Sequence, residues 1–324
     1  MTDQADAVDV KAQVEAARAR APSWLARFRD SDILASFLSS KVTMLSGFIT
    51  VVMIVGALFA TWIAPTNPFD PASVNLIDSL FPPRWIEGGD PRFLLGTDNQ
   101  GRDLWSAILY GMRVSLIIGI CGVIIAATLG IGLGLLAGYA GGRIDAFIMR
   151  VADIQLTFPA ILIALVIDGV VRALFKGLPR EQTAFGVLVI SIGLSFWVQY
   201  ARTVRGSTLV EKNKDYVQAA RLIGIPAPLI MLRHVLPNVI GPVLVILTIN
   251  LALAIITEAT LSFLGLGLPP TQPSLGTLIR IGNDFLFSGE WWIVAFPGVT
   301  LAVFVLAVNL LGDWLRDALN PKLR

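Results

Sequence analysis

Long apolar runs with almost no charge recur along this chain, and they constrain its fold more than any other feature. A run of about 20 such residues can satisfy its own backbone in lipid only as a helix. Val42–Ala64 gives the first run and Val114–Tyr139 the second. Ile154–Ile167 is uncharged but short, so a third span has to extend past Asp153 or past Asp168. One of those carboxylates is then expected near a membrane face. Gln182–Ala201, Val235–Thr257 and Trp291–Gly312 supply the fourth, fifth and sixth. The fold class read from this pattern is an all-α polytopic membrane protein with six transmembrane helices. An even number of spans puts both termini on one side.

Composition agrees. Of 324 residues, 55% are hydrophobic and 15% charged, where a soluble domain carries about 25% charged residues. The net charge of +2 gives no footing for a nucleic-acid partner. A better use of the basic residues is sidedness. Seventeen of the 25 Lys and Arg fall in the N-terminal tail, the 140–153 loop, the 202–234 loop and the C-terminal tail. Short loops rich in Lys and Arg stay in the cytoplasm, so both termini are expected there. The first apolar run begins some 40 residues in and shows no small-residue cleavage site, which reads as an uncleaved anchor. Trp62, Trp85, Trp197, Trp291, Trp292 and Trp314 fall near expected span ends, as an aromatic belt does.

Several chemistries are excluded or weakened. The single Cys121 lies in an apolar run and reads as a packed small hydrophobe. With His234 the only histidine, a multi-histidine metal site within the chain is impossible, and the side chain reads as a hydrogen-bonded loop residue. No Gly-Lys pair occurs anywhere, so there is no phosphate-cradling Walker loop. Gly132-x-Gly134 lies in continuous apolar helix with no strand before it, and it is not a nucleotide fingerprint. Neither a catalytic nor a metal residue is assigned, and the chain is not read as an enzyme.

The 202–237 loop is short, basic and strongly punctuated. Asp215 is expected to cap a helix, with Gln218 completing a capping box. Gly224 is expected to end that helix in a left-handed turn, Pro226 to prevent its continuation, and Pro228 to sit in the first turn of a second helix. The result is a rigid knob. Gln218-Ala219-Ala220, Gly224 and His234-x-Leu236-Pro237 follow at the spacing of the EAA loop, and this stretch resembles the coupling loop of ABC-transporter permeases. Gln218 stands where Glu is usual in the family, and His234 where Ile is commoner; both variants are familiar from its peptide branch. Ala219 and Ala220 are expected to let another protein approach the knob closely.

Two further motifs carry the resemblance. Between the first two spans, Gly96-Thr97-Asp98-x-x-Gly101-Arg102-Asp103 is similar to a signature of the dipeptide/oligopeptide/nickel permeases. Thr97 or Asp98 is expected to cap an amphipathic helix that leads into the second span. A catalytic use of Asp98 and Asp103 is less natural than local hydrogen bonds and ion pairs. After the fifth span, the LSFLGLG stretch and the Trp291-Trp292, Pro297-Gly298 entry to the sixth resemble the same family. The resemblance runs from about Leu95 to the C-terminus.

The chain is therefore identified as resembling a C-type permease subunit of the binding-protein-dependent ABC importers of that branch. The family implies a type I importer fold and Asp215, Gln218, Ala219, Ala220, Gly224, His234, Leu236 and Pro237 as the ATPase-coupling segment. It further implies a second, paralogous permease, two ABC ATPases that hold the ATP and Mg, an extracytoplasmic binding protein, and a place in the bacterial inner membrane. No cofactor belongs to this chain itself, and di- or oligopeptides are the commonest cargo. The domain order expected is a cytoplasmic tail (1–41), an anchor (42–64), an outer segment (65–112), a five-helix core (113–314) and a second tail (315–324).

Inside the membrane, Gly130, Gly134 and Gly138 give one bare helix face for close packing. Polar groups are sparse: Gln199, Asn250 and Asn309, with Asp153, Asp168 and Glu258 toward the ends. Asn250 is the candidate pathway residue, against a plain helix–helix hydrogen bond. An ion-coupled secondary transporter is the alternative function. It calls for carboxylates central in the spans and inverted repeats, and neither is visible. A membrane-embedded enzyme lacks the residues to build a site.

Overall fold

The structure, a computed structural model, describes residues 32–175 and 178–318. The sequence predicts a charged, Ala-rich helix over Val8–Arg20 and a basic amphipathic piece around Trp24, Leu25 and Phe28; both lie outside the described residues. The chain divides into two compact units, Met1–Leu45 and Ser46–Arg324. The first holds α1 (Asp32–Ser39) and the opening turn of α2 (Lys41–Leu58). There the Ser40 hydroxyl accepts the Thr43 N–H at 3.3 Å, which satisfies one of the open donors of a first turn.

The second unit continues α2 and adds α3 (Ala60–Ile63), α4 (Leu104–Ala140), α5 (Gly142–Leu156) and α6 (Ala160–Leu174). Then come α7 (Arg180–Glu211), α8 (Asp215–Leu222), α9 (Ala227–Ile230), α10 (Leu236–Phe263), α11 (Leu275–Asn283) and α12 (Trp292–Ala318). Among the described residues, five helices are long and apolar enough to cross a membrane, or six if the bent α5–α6 pair is one span.

That pair corrects the third span. Ile154–Ile167 is not one helix: α5 and α6 meet at 97°, with Pro159 extended at the break. Proline has no N–H to donate and biases the residue before it away from helix, so the ladder stops at Leu156. Both flanking carboxylates find arginines: Asp153 pairs with Arg202 at 2.6 Å and Asp168 with Arg172 at 2.8 Å. Asp145 adds a third pair with Arg205, so two ion pairs tie α5 to α7.

Other limits also move. The surface helix expected from Asp103 and the second span are one 37-residue helix, α4, whose first turns bury Leu104, Ala107, Ile108 and Gly111. At about 1.5 Å per residue it is some 55 Å long, well beyond a hydrocarbon core of roughly 30 Å. The fourth span runs on to Glu211. The fifth is helical from Ala227, through a π-helical turn at Met231–Val235, into α10. Pro237 explains the π turn: its ring would crowd the carbonyl four residues back, and the wider i→i+5 ladder makes room. The Leu236 N–H reaches the Met231 carbonyl instead.

α4 and α7 form the closest pair in the bundle. A Cβ on Gly130 would lie 2.4 Å from the Trp197 carbonyl oxygen, one on Gly134 2.6 Å from that of Ala201, and one on Gly138 2.7 Å from Thr208 Cβ. Gly132, one turn face away, has open space. The main core runs through this contact, with Ile118, Leu188, Ile192, Tyr200 and Val204 buried together, and it continues into Val217, Ala220 and Ile230 of the knob and Val235 just after it.

Candidate functional site

At the knob the chain leaves α7 and is held at once. Lys212 donates to the Gly138 carbonyl at 2.7 Å, and Lys214 pairs with Glu211 at 2.6 Å. The α8 cap differs from the expected one. Lys214 is the N-cap, without a side-chain cap bond, and Asp215 is already in the first turn. There its charge still favours the positive end of the helix. Gln218 does not close a capping box either; its amide donates to the Lys212 carbonyl at 3.2 Å.

α8 ends at a glycine turn. Gly224 has φ +80°, and the Ile225 N–H returns to the Ala220 carbonyl at 3.1 Å. That is the six-to-one bond of a Schellman close. Pro226 caps α9 and Pro228 lies in its first turn. Arg221 lies over the Tyr139 ring at 4.8 Å and donates to its hydroxyl at 3.2 Å. Tyr216 donates to Glu211 and accepts from Asn238 at 3.1 Å. Burial, helped by the Glu211 charge, pushes the Tyr216 phenol up to about 12, so it stays a neutral donor. The knob is thereby braced on α4, α7 and α10.

Its two faces differ sharply. Val217, Ala220 and Ile230 are buried in the core, which corrects the reading of Ala220 as a contact for another protein. Ala219 is exposed. Around Gly224, Leu222 is 89% and Ile223 76% exposed, and nothing lies within 4 Å of where a Gly224 side chain would start. Leu232 is exposed as well. His234 lies in the π turn and not in a loop; its Nδ1 is buried without a partner, while its carbonyl accepts from Asn238 at 2.7 Å. Leu236 and Pro237 open α10. The structure thus brings Gln218, Ala219 and Gly224 to one protruding tip, with Leu222 and Ile223 as its apolar crown. Sequence reasoning missed those two side chains, although two large apolar residues before a glycine in a basic loop were the signal.

The Gly96–Asp103 stretch lies at the start of α4. Gly96 and Gly101 have φ +84° and +77°, and a Cβ on Gly101 would meet the Asn75 carbonyl at 2.1 Å. Thr97 donates to the Asp78 carbonyl at 2.6 Å and accepts from the Phe81 N–H at 2.8 Å. The cap of α4 is Asp103, which accepts the Ser106 N–H at 2.9 Å; neither Thr97 nor Asp98 caps it. Burial pushes the Asp103 carboxyl up, against the opposing pull of Ser106. Asp98 and Arg102 form a buried pair at 2.6 Å, and Arg102 also donates to the Pro270 carbonyl at 2.7 Å. Trp292 donates to the Thr97 carbonyl at 3.2 Å. The motif is a clasp between the 65–103 segment, the 264–274 segment and α12.

Two buried polar sites lie deeper. Asn250 is fully buried on α10 beside the Tyr200 hydroxyl of α7, and neither side-chain amide atom closes a hydrogen bond. Glu258, also fully buried, accepts from Ser115 at 2.7 Å and Ser262 at 2.6 Å. Ser115 in turn accepts the Leu275 N–H at 3.2 Å, so one carboxylate joins α4, α10 and α11.

Comparison with known proteins fits this arrangement. Residues 130–324 match the family model described as the binding-protein-dependent transport system inner membrane component. Residues 31–83 match the N-terminal TM domain of oligopeptide transport permease C. The chain is 43% identical over 281 residues to the di/tripeptide transport system permease protein DppC of Pseudomonas aeruginosa, covering 86% of this chain and 88% of that one. It is 40% identical to the dipeptide transport system permease protein DppC of Haemophilus influenzae, covering 86% and 89%. It is 39% identical to DppC of Escherichia coli K12, covering 89% and 91%. Among solved structures, an inward-facing MetNI methionine ABC transporter shares the fold, with TM-score 0.50 and 19% identity over 67% of this chain and 96% of that one. The chain belongs to the family of binding-protein-dependent transport system inner membrane components, as a multi-pass permease subunit of an ABC importer.

Proposed function

We propose that this permease carries di- and oligopeptides, and that the 215–233 knob is where an ATPase subunit drives it. The observation that carries the second half is the tip itself. Leu222 and Ile223 stand exposed beside an unobstructed Gly224, on a helix whose opposite face belongs to the bundle core. Exposed apolar side chains on a rigid support mark a protein contact. The cargo class follows the relatives, di/tripeptide and dipeptide transport permeases that match most of the chain.

In this reading the chain pairs with a paralogous permease, each knob seats on one ATPase holding ATP and Mg, and a binding protein delivers peptide at the Gly96–Asp103 side. The tails 1–41 and 315–324 and the knob face the cytoplasm; 42–64 anchors the chain, 65–112 lies outside and 113–314 forms the core. ATP binding closes the ATPases and moves the knobs, and α4, α7 and α10 rock between two packings. Asn250 with Tyr200 is the polar point nearest the pathway. The test is mild-detergent purification of the chain from its own cells, with identification of what co-purifies and an ATPase assay. A second permease and two P-loop ATPases are expected. Recovery of the chain alone, without ATPase activity, overturns the proposed assembly.

A further inference from the structure

An apolar groove of about 570 Å³ runs between α2 and α4. Val52 and Gly56 form one wall, Trp105, Leu109 and Met112 the other, and Thr300 of α12 closes the floor. Val52 is half exposed, so the groove opens outward from the bundle. Membrane helices lack the hydrophobic drive that would cover such a groove in water.

A charge stands next to the groove lining in the chain. Arg113 follows Met112 on α4, and its Nη1 donates to the Thr61 hydroxyl of α3 at 3.4 Å. Among the described residues no carboxylate lies within ion-pair distance of Arg113. Trp62, beside Thr61, is 80% exposed. α2 has 18 residues, about 27 Å of helix, close to one hydrocarbon thickness of roughly 30 Å. Thr61, Trp62 and Arg113 therefore sit at the level where headgroups begin, the usual depth for tryptophan and for the charged end of a snorkelling arginine.

We propose that this groove holds a membrane phospholipid from the leaflet on the Trp62 side. One acyl chain lies along Val52, Gly56, Leu109 and Met112, and the lipid phosphate takes the free donors of Arg113. A guanidinium matches phosphate with two parallel N–H bonds, and its uncompensated charge favours an anionic headgroup. The site needs only the membrane setting of the family, and it stands whether or not the knob and the cargo are as proposed.

The test is lipid analysis of the importer complex, purified through this chain and washed extensively in mild detergent, by native mass spectrometry and extraction. Wild type is expected to retain phosphatidylglycerol at a share above that of the bulk membrane lipid. Arg113→Gln should cut that enrichment about fivefold, the weight of one basic residue near a lipid surface, and Arg113→Lys, which keeps the charge but not the paired N–H bonds, should restore only part of it. Gly56→Leu fills the groove; a Cβ there has only Leu109 Cδ2 at 3.4 Å and Met112 Cε at 4.0 Å as neighbours. It should release the lipid whatever its headgroup while the complex stays monodisperse. Bulk lipid composition in wild type, or enrichment indifferent to Arg113→Gln, overturns the proposal. So does a Val52→Cys variant that cross-links to the second permease, since a protein helix would then occupy the groove.

Discussion

Single side chains in this protein mostly serve to hold segments still. Asp98 and Arg102 are buried at 0% and 2% exposure, and removing one member of such a pair leaves the other charged and unmatched. Asp98→Asn should therefore cost about 3–5 kcal/mol, read as a fall in thermal unfolding midpoint in detergent; an unchanged midpoint would remove the clasp from the account. Cap residues were the least legible at this scale. Asp98 and Asp215 are both good capping types, but Asp98 is drawn into the Arg102 pair, and Lys214 takes the N-cap that Asp215 was assigned. Any acidic residue within a turn of a helix start fits the pattern equally well; only the partners available in space choose among them. The contact of Glu258 with Ser115 was hidden for the same reason. Ser115 is 143 positions away, and no local spacing announces that contact.

Among the helices, the glycine pattern of α4 transfers directly to packing, because a bare face matters only where another backbone approaches. Gly134→Leu should fail to assemble or unfold at much lower temperature, since its first carbon already meets the Ala201 carbonyl at 2.6 Å. Gly132→Leu, with nothing within 4 Å, should behave like wild type. Equal yields of the two variants on size-exclusion chromatography would show that α4 and α7 are not packed this way. The knob helices were legible from Gly224 and Pro226, whose backbone demands are local. The third span was not. Apolarity and length are blind to a 97° bend, and although Pro159 signals a break, it cannot say where the following helix points. The run-on of α4 was equally out of reach, because its first turns are buried by segments far away in sequence.

Taken whole, the second unit is a membrane bundle that carries a braced tip and a clasped segment. The six-span reading of the sequence stands once α5 and α6 are counted as a single broken span, and the family match places the bundle among importer permeases. If the tip transmits force, its apolar crown must be seated in another protein. Leu222→Asp with Ile223→Asp should leave insertion and pairing of the permeases intact while the ATPases are lost from the purified complex. Retention of both ATPases at wild-type amounts would move the contact elsewhere. The most direct measurement is dipeptide uptake into proteoliposomes holding the complete complex with its binding protein, comparing wild type with Gly224→Trp. Wild type should accumulate peptide only when ATP reaches the ATPases, and the variant, equally well assembled, should accumulate none. Normal ATP-driven uptake by the variant would remove the coupling role from the knob, and uptake by this chain alone on an ion gradient would overturn the whole reading.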